Sequence, residues 1–179
     1  VRDLRLRDPL GPFPRLQASI DADRLDLQYV TNTFEFGLIT GRLSGRVEGL
    51  ELFDWTPLRF DARFYSTPGD RTPRRISQRA VANLSSIGGG SGGTVTAALQ
   101  SGFLRFFKTF RYRELGLSCR LENDVCTMDG VGPAPGGYYI VRGSGVPRID
   151  VIAAQRRVAW SRLVGQLAAM TQGGELIIE

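Results

Sequence analysis

The sequence predicts an α+β fold that is mainly antiparallel sheet, with about three amphipathic helices. Apolar and polar residues alternate through most of the strand-rich segments 1–66 and 112–154, as in strands with one wet face. Apolar residues instead recur at helical spacing in segments 73–110 and 158–170. Short linkers such as "DWTP" are compatible with antiparallel hairpins between neighbouring strands.

The strands of the first segment are predicted in chain order. "VRDLRLRDP" and "RLQASIDA" alternate, whereas residues 24–34 also fit helical spacing and are interpreted as a helical turn. A long strand is predicted over residues 38–54. "LRFDARFY" then returns antiparallel to it, with Phe60 and Phe64 on its apolar side.

The stretch "LITGRLSGRVEGLELFDW" places a glycine at every second apolar position of the long strand. One face is predicted to carry Ile39, Gly41, Leu43, Gly45 and Val47. The apolar residues change phase after Gly49, which predicts a β-bulge there.

Two helices are predicted within residues 73–110. Thr72 before a proline is a typical helix start, so the first helix should cover residues 73–87. The segment 88–93 is interpreted as a glycine-rich linker, because it lacks the lysine of a phosphate-binding loop. The second helix should cover residues 94–110, with an apolar stripe that includes Phe103, Phe106 and Phe107. This helix either packs against the sheet or lies on a membrane surface.

The only two cysteines flank a predicted hairpin. "ELGLSCRLE" and "VCTMDGV" alternate on either side of Asn123–Asp124. A four-residue loop at 121–124 would place Cys119 directly opposite Cys126, within reach of a disulfide. Two buried free thiols in a reducing compartment are the alternative. We favour the disulfide and hence an oxidising location.

Composition bounds the organisation of the chain. It has 179 residues, of which 42% are hydrophobic and 23% charged, so we interpret residues 1–179 as a single domain. No apolar run approaches the roughly 20 residues that cross a bilayer. The chain starts at Val1 without a signal segment, and we expect it to be a piece of a longer protein.

Charge and residue usage narrow the possible functions. The net charge is +5, and Lys108 is the only lysine. Arginine suits contacts to phosphate, but here the arginines are interleaved with acids, which favours solvated faces over nucleic-acid binding. The complete absence of histidine excludes histidine-based catalysis and imidazole zinc sites within this chain. Two cysteines are too few for a zinc cluster, and a catalytic carboxylate pair remains formally possible, although no Asp/Glu pair stands in a recognisable catalytic setting. We therefore expect no catalytic residues, no metal site and no cofactor.

The ordered set of segments resembles a known family. "FEFGLITGRLSGRVEGLELFDWTPLRFDARFY", "RRISQRAVANLSSIGG", "SGFLRFFKTFRYRELGLSCRLENDVCTMDGV" and "YYIVRGSGVPRIDVIAAQRRVAWSRLVGQL" are similar to the C-terminal region of AsmA-like proteins of the YdbH type. These are envelope proteins of Gram-negative bacteria. The resemblance covers the chain roughly from Phe34 to Leu167. The glycine-spaced strand matches at residues 36–54 and the hairpin with paired cysteines at 115–130.

The resemblance implies a periplasmic protein that is anchored in the inner membrane by an N-terminal helix absent here. It implies a long curved antiparallel sheet that forms an apolar trough and passes phospholipid between the two membranes. Glycine would leave room for acyl chains; alternatively, the glycines only let the sheet coil around a dry core. The residues expected to line the groove are Ile39, Gly41, Leu43, Gly45, Val47, Phe60, Phe64, Phe103, Phe106 and Phe107.

A docking role is the main alternative to lipid handling. In that case the chain would bind an outer-membrane or other envelope protein by strand addition, without carrying lipid. An exposed sheet edge from Phe36 to Phe53 would favour docking. Open apolar patches would favour lipid, and arginines gathered on one face would favour an anionic polymer.

Overall fold

A computed structural model describes residues 1–8, 10–89 and 102–171 of the chain. The fold is mainly antiparallel sheet with helices, as the sequence predicts. The strands are β1 (Arg2–Arg7), β2 (Arg15–Asp26), β3 (Arg42–Phe53), β4 (Thr56–Ser66), β5 (Arg75–Ser77), β6 (Thr109–Glu122), β7 (Val125–Gly130), β8 (Gly132–Ala134), β9 (Gly137–Ser144), β10 (Val151–Ala153) and β11 (Arg157–Ala159). The helices are α1 (Leu27–Thr33), α2 (Gln78–Ile87) and α3 (Trp160–Thr171), with a short 3₁₀ helix over Gly102–Phe106.

The long strand β6 belongs to two parts of the sheet. Its second half pairs with β4 and β7 in the order β1-β2-β3-β4-β6-β7-β11, which we call the main sheet. Its first half pairs with β5 and β9, and β9 also pairs with β8 and β10. Gly116 lies between the halves, where a Cβ atom would approach Val131 to 2.7 Å. The main sheet is open and does not curl into a closed trough.

Two-residue turns connect the central hairpins. Asp54 and Trp55 between β3 and β4 both have positive φ, and so do Asn123 and Asp124 between β6 and β7. Such turns match the twist of antiparallel strands and fix their register. The predicted bulge at Gly49 is also confirmed: the pairing of β3 with β4 shifts after Glu48, and Gly49 has φ of +58°.

The predicted strand over 38–54 is too long at its start. β3 begins only at Arg42, because Gly41 adopts φ of +115° and turns the chain. Ile39 forms an isolated bridge with Ile76 of β5 and is buried in the core. The helical turn predicted within 24–34 is present as α1, capped by the Asp26 side chain.

The first predicted helix starts later than its sequence signal. Residues 75–77 pair with β6 as strand β5, and α2 begins after Ser77, whose hydroxyl accepts a hydrogen bond from the Ala80 N–H. Thr72 instead bonds to Asp70. Pairing with a distant strand therefore overrides a local helix-start signal. Similarly, α3 begins at Trp160 and not at residue 158, because β11 pairs first with β7.

The second predicted helix, 94–110, is wrong over its described part. Residues 94–101 lie outside the described residues. Residues 102–106 form a 3₁₀ helix, and β6 begins at Thr109. The Gln78 side chain donates hydrogen bonds to the Leu104 and Phe107 carbonyls, and Phe110 then pairs with Ile76. Strand pairing explains why the helical spacing of the phenylalanines does not extend into a helix.

The core lies at one end of the molecule, between α2, α3 and the sheet around β9. Its buried side chains come from β5, α2, β6, β7, β9, β10 and α3; the fully buried ones include Tyr138, Phe110, Ile76, Met128 and Ile140. The Tyr138 hydroxyl donates to the Gln155 carbonyl, and burial raises the pKa of Tyr138 to about 12. The buried hydroxyl of Ser85 on α2 likewise donates a hydrogen bond, to the Val81 carbonyl.

Cys119 and Cys126 form a disulfide, as predicted, but not between directly opposed positions. Cys119 opposes Met128, and Cys126 opposes Leu121, because the loop has two residues and not four. The bond therefore joins diagonal neighbours on one face, whose Cα atoms are 5.5 Å apart. A disulfide is consistent with a non-cytoplasmic location.

Disrupting this disulfide should weaken the fold without abolishing it. The bond closes a short loop with a sequence separation of seven. The chain-entropy relation then gives a loss of about 2–3 kcal/mol in the free energy of unfolding for a Cys119→Ser/Cys126→Ser variant. Chemical denaturation with and without reductant measures the loss, and reductant should not affect the variant. Two alkylatable thiols in protein exported to an oxidising compartment would contradict the bond.

Asp70 should stabilise the start of β3. Its buried carboxylate accepts hydrogen bonds from the Arg42 N–H at 3.1 Å and from the N–H and hydroxyl of Thr72. Burial raises the pKa of Asp70, but these bonds more than offset it, so the pKa lies below the ordinary 3.8. Asp70→Asn leaves one buried donor unpaired and should lower the free energy of unfolding by about 1–3 kcal/mol at neutral pH.

The effect of Asp70→Asn should depend on pH with a defined sign. A lowered folded pKa gives stability that is present above the unfolded pKa and is lost as pH falls through the folded value. The difference between wild type and variant should therefore be largest at neutral pH and shrink in denaturant titrations as the pH falls below the unfolded pKa of about 3.9. Asp124→Asn, in an exposed turn that suits asparagine, serves as the control and should change stability by less than about 0.5 kcal/mol. If Asp70→Asn lowered the free energy of unfolding equally at neutral pH and below the unfolded pKa, a role for the carboxylate charge would be contradicted.

Candidate functional site: the open apolar face of the sheet

The main sheet has one apolar and one polar face. Across the strands, Ile20 pairs with Val47, Val47 with Ala62, Ala62 with Cys119, and Cys119 with Met128. Directly paired residues point to the same face. A continuous apolar row therefore crosses five strands.

Ion pairs within and between strands neutralise part of the polar face. Asp61 accepts hydrogen bonds from Arg63 and Arg120, which hold the pKa of its carboxyl below the usual range. Arg59 contacts Glu51 at 2.9 Å. Pairs at exposed positions are each worth at most about 1 kcal/mol, so this face contributes more to strand register than to stability.

The core covers the apolar face most completely at the end near β6, β7 and β11. There Met128, Cys126 and Val158 are buried beneath α2, α3 and β9. At the opposite end, Leu4 and Leu6 of β1 keep 61% and 46% of their surface exposed. The apolar side chains of this one sheet are therefore buried in a dry core at β7 and exposed to water at β1.

We call the uncovered part of the face, on β1 to β4, the open apolar face. It consists of the exposed or half-buried side chains Leu4, Leu6, Leu16, Ile20, Val47, Leu50 and Leu52. At its border with the core, Phe60 packs edge-on against Trp160, with ring centroids 5.2 Å apart. Trp160 is the first residue of α3, so this contact joins the helix to β4.

Some residues predicted to line the groove lie on or beside the open apolar face. Val47 is central to it, and Leu43 and Phe64 are half-buried at its end. Phe60 lies at the border formed with Trp160. These four side chains share the face that the alternation predicted.

The other predicted residues lie elsewhere. Ile39 is buried in the core, where it pairs with Ile76. Phe103 and Phe106 are 64% and 70% exposed on the 3₁₀ helix, while Phe107 packs half-buried against Phe103. The structure therefore separates the phenylalanines of this segment from the strand residues with which they were grouped.

At both glycines predicted to line the groove, other atoms of the protein occupy the space where a side chain would lie. A Cβ atom on Gly45 would lie 2.6 Å from the ring of Phe64 and would collide with the Arg63 carbonyl oxygen. A Cβ atom on Gly41 would lie 2.8 Å from the Tyr112 hydroxyl. The space beside these glycines is thus occupied by aromatic side chains, and room for a ligand has to come from the open apolar face itself.

Sequence reasoning missed the contribution of the first two strands. Leu4, Leu6, Leu16 and Ile20 alternate clearly in the sequence, but alternation alone does not say which strands share a face. The register of the strands shows which residues share a face, because Leu6 pairs with Leu16 and Leu16 pairs with Leu52.

Two further searches of the described residues concern metals and membranes. No group of three or more His, Cys, Asp or Glu side chains in the described ranges could hold a metal ion. None of the helices described here is long and apolar enough to cross a bilayer. Comparison with protein families, with curated proteins and with solved structures found no match to this chain.

Gly45→Ala should test the close packing beside Gly45. The added methyl group would meet the ring of Phe64 and the β4 backbone at Arg63, and the backbone cannot move freely within the sheet. The free energy of unfolding should therefore fall by about 1–3 kcal/mol. Gly165→Ala, in α3 with open space around it, is the matched control and should be neutral or stabilising by up to about 1 kcal/mol. Denaturant titration of both variants measures the difference. A Gly45→Ala protein as stable as wild type would show that the space is not filled.

Proposed function

We propose that this chain is a non-enzymatic module of a cell-envelope protein that holds phospholipid acyl chains on the open apolar face. The observation that carries the proposal is the partial coverage of one continuous apolar surface. Leu4 and Leu6 remain about half exposed, although the same face is fully buried at β7. Contiguous apolar surface left open to water is typical of sites that bind apolar partners.

A sheet face suits acyl chains for a physical reason. The backbone groups of β2, β3 and β4 are paired within the sheet, so its apolar face offers side chains and few unpaired polar groups. Each methylene group of an acyl chain that leaves water contributes about 0.8 kcal/mol. Several methylene groups laid along Ile20, Val47 and Leu52 would therefore bind without any specific hydrogen bond.

The proposed location follows from the disulfide together with the family resemblance. The Cys119–Cys126 bond is consistent with a non-cytoplasmic location. We propose the periplasm, with the parent protein anchored in the inner membrane by a segment outside this chain. Transfer of phospholipid towards the outer membrane would then be the task of the whole protein.

Docking by strand addition is the second candidate. The edge from Phe36 to Phe53 is not available for it, because β3 lies between β2 and β4. The terminal strand β1 favours docking instead, since all six of its residues are exposed and it pairs on one side only. A partner strand from an envelope protein could extend the sheet there.

A charge on the open apolar face should separate lipid binding from folding. Val47 is half-buried, so a carboxylate in Val47→Glu can reach water at the edge of the face. We expect a folded protein that loses most of its bound acyl-chain probe. Far-UV circular dichroism with a thermal melt reports folding, and binding of phospholipid with a fluorescent acyl chain reports the site.

Thr127→Glu is the matched control for this charge. Thr127 is exposed on the polar face, where it pairs with Arg120 and Arg157, so the same carboxylate should be tolerated there and should leave lipid binding unchanged. A folded Val47→Glu protein with wild-type lipid binding would overturn the proposal. An unfolded one would assign this strand to a dry core and favour docking at β1.

A further inference from the structure

The polar face of the main sheet carries one group of arginines without acidic partners. Arg5 and Arg7 on β1 and Arg15 on β2 line a cavity of about 380 Å³ at the end of the sheet. None of their guanidinium groups forms an ion pair or a side-chain hydrogen bond with any residue that the structure describes. Elsewhere on this face Arg46, Arg63 and Arg120 all contact carboxylates.

The register brings these positive charges close together. Arg7 and Arg15 are directly opposed across the β1–β2 ladder, and Arg5 opposes Gln17 one step further on. Like charges at directly opposed positions destabilise a sheet. No carboxylate of the described residues balances the charge of Arg7 and Arg15, so this charge is available to an anion from outside the chain.

The one carboxylate in the cavity does not neutralise the arginines. Glu51 accepts hydrogen bonds from Arg59 at 2.9 Å and from the Gln17 amide at 3.0 Å. Its charge is therefore already shared with Arg59. The three cavity arginines keep their excess positive charge.

Aromatic rings position one of the arginines. The Arg15 guanidinium carbon lies 5.2 Å from the centroid of the Phe53 ring, and Phe53 in turn stacks on Phe13 at 5.8 Å. Stacking holds the planar fork of arginine in place, which favours bidentate contacts to phosphate oxygens.

We propose that Arg5, Arg7 and Arg15 form a binding site for a phosphate group. Three guanidinium groups oppose the negative charge of a phosphate ester and can donate hydrogen bonds to its oxygens, and Phe53 and Leu58 offer apolar surface to the rest of the ligand. The phosphate group comes either from a phospholipid headgroup or from a soluble phosphate ester. The site does not depend on the role of the open apolar face, because the side chains of Arg5, Arg7 and Arg15 lie on the polar face of the sheet.

The test compares two triple variants of equal charge. In Arg5→Gln/Arg7→Gln/Arg15→Gln the proposed site is removed, and in Arg46→Gln/Arg63→Gln/Arg120→Gln three carboxylate-paired arginines of the same face are removed. Calorimetric titration with sn-glycerol 3-phosphate probes a soluble ester. Flotation with vesicles of phosphatidylcholine, with or without phosphatidic acid, probes the headgroup.

We expect the site variant to bind at least about tenfold more weakly than wild type, and the control variant to bind within about twofold. The site variant should melt no lower than wild type, because it loses a like-charge repulsion. Binding of glycerol 3-phosphate supports a soluble ester as ligand, and binding of phosphatidic acid vesicles alone supports a headgroup. Equal weakening in both variants, or no binding of either probe by wild type, overturns the site. Val47→Glu should bind phosphate normally, so failure of the lipid proposal is distinguishable from failure of this one.

Discussion

The pairing of β6 with strands on both sides is the constraint on which the rest of the structure depends. Its first half joins the sheet that α2 and α3 cover, and its second half joins β4 and carries the main sheet outward. Gly116 lets the strand pass between the two halves, because a side chain there would meet Val131. One end of the main sheet is therefore fixed to a packed core, and the hairpins of β1 to β4 extend from that anchor.

This arrangement gives the two faces of the extended hairpins different physical tasks. Ion pairs such as those of Asp61 hold register on the polar face while contributing little stability. Burial of the apolar face stabilises the fold where Trp160 and the core contact Phe60. This stabilisation decreases towards Leu6, whose side chain stays exposed. The part of the sheet that is least stabilised by its own protein is thus the part most able to gain from an apolar partner.

The sequence predicted the features that depend on local chemistry. Alternation located most of the strands, the short linker "DWTP" and the turn residues Asn123–Asp124 located two hairpins, and Gly49 located the bulge. Features that depend on a distant partner were not predictable in this way. Residues 75–77 and 109–111 carry helix-like signals but pair with each other, and the ladder energy outweighs a helix cap worth about 1 kcal/mol. The site was partly predictable for the same reason. Alternation along β3 predicts that Val47 lies on the apolar face, whereas the membership of Leu6 in that face depends on how β1 pairs with β2.

The glycines of the long strand show why glycines spaced along an apolar face need not leave room for a ligand. At Gly45 the missing side chain admits the ring of Phe64 from the neighbouring strand, so the position is tightly packed although no Cβ is present. At Gly49 the glycine is needed for its positive φ, and no atom lies near its missing side chain. Open apolar surface therefore arises at the scale of the sheet, where the helices stop covering the apolar face beyond Phe60. The affinity that we propose for acyl chains on that face would be set by its larger side chains, such as Ile20 and Leu52, because the free energy of apolar contact scales with the area they present.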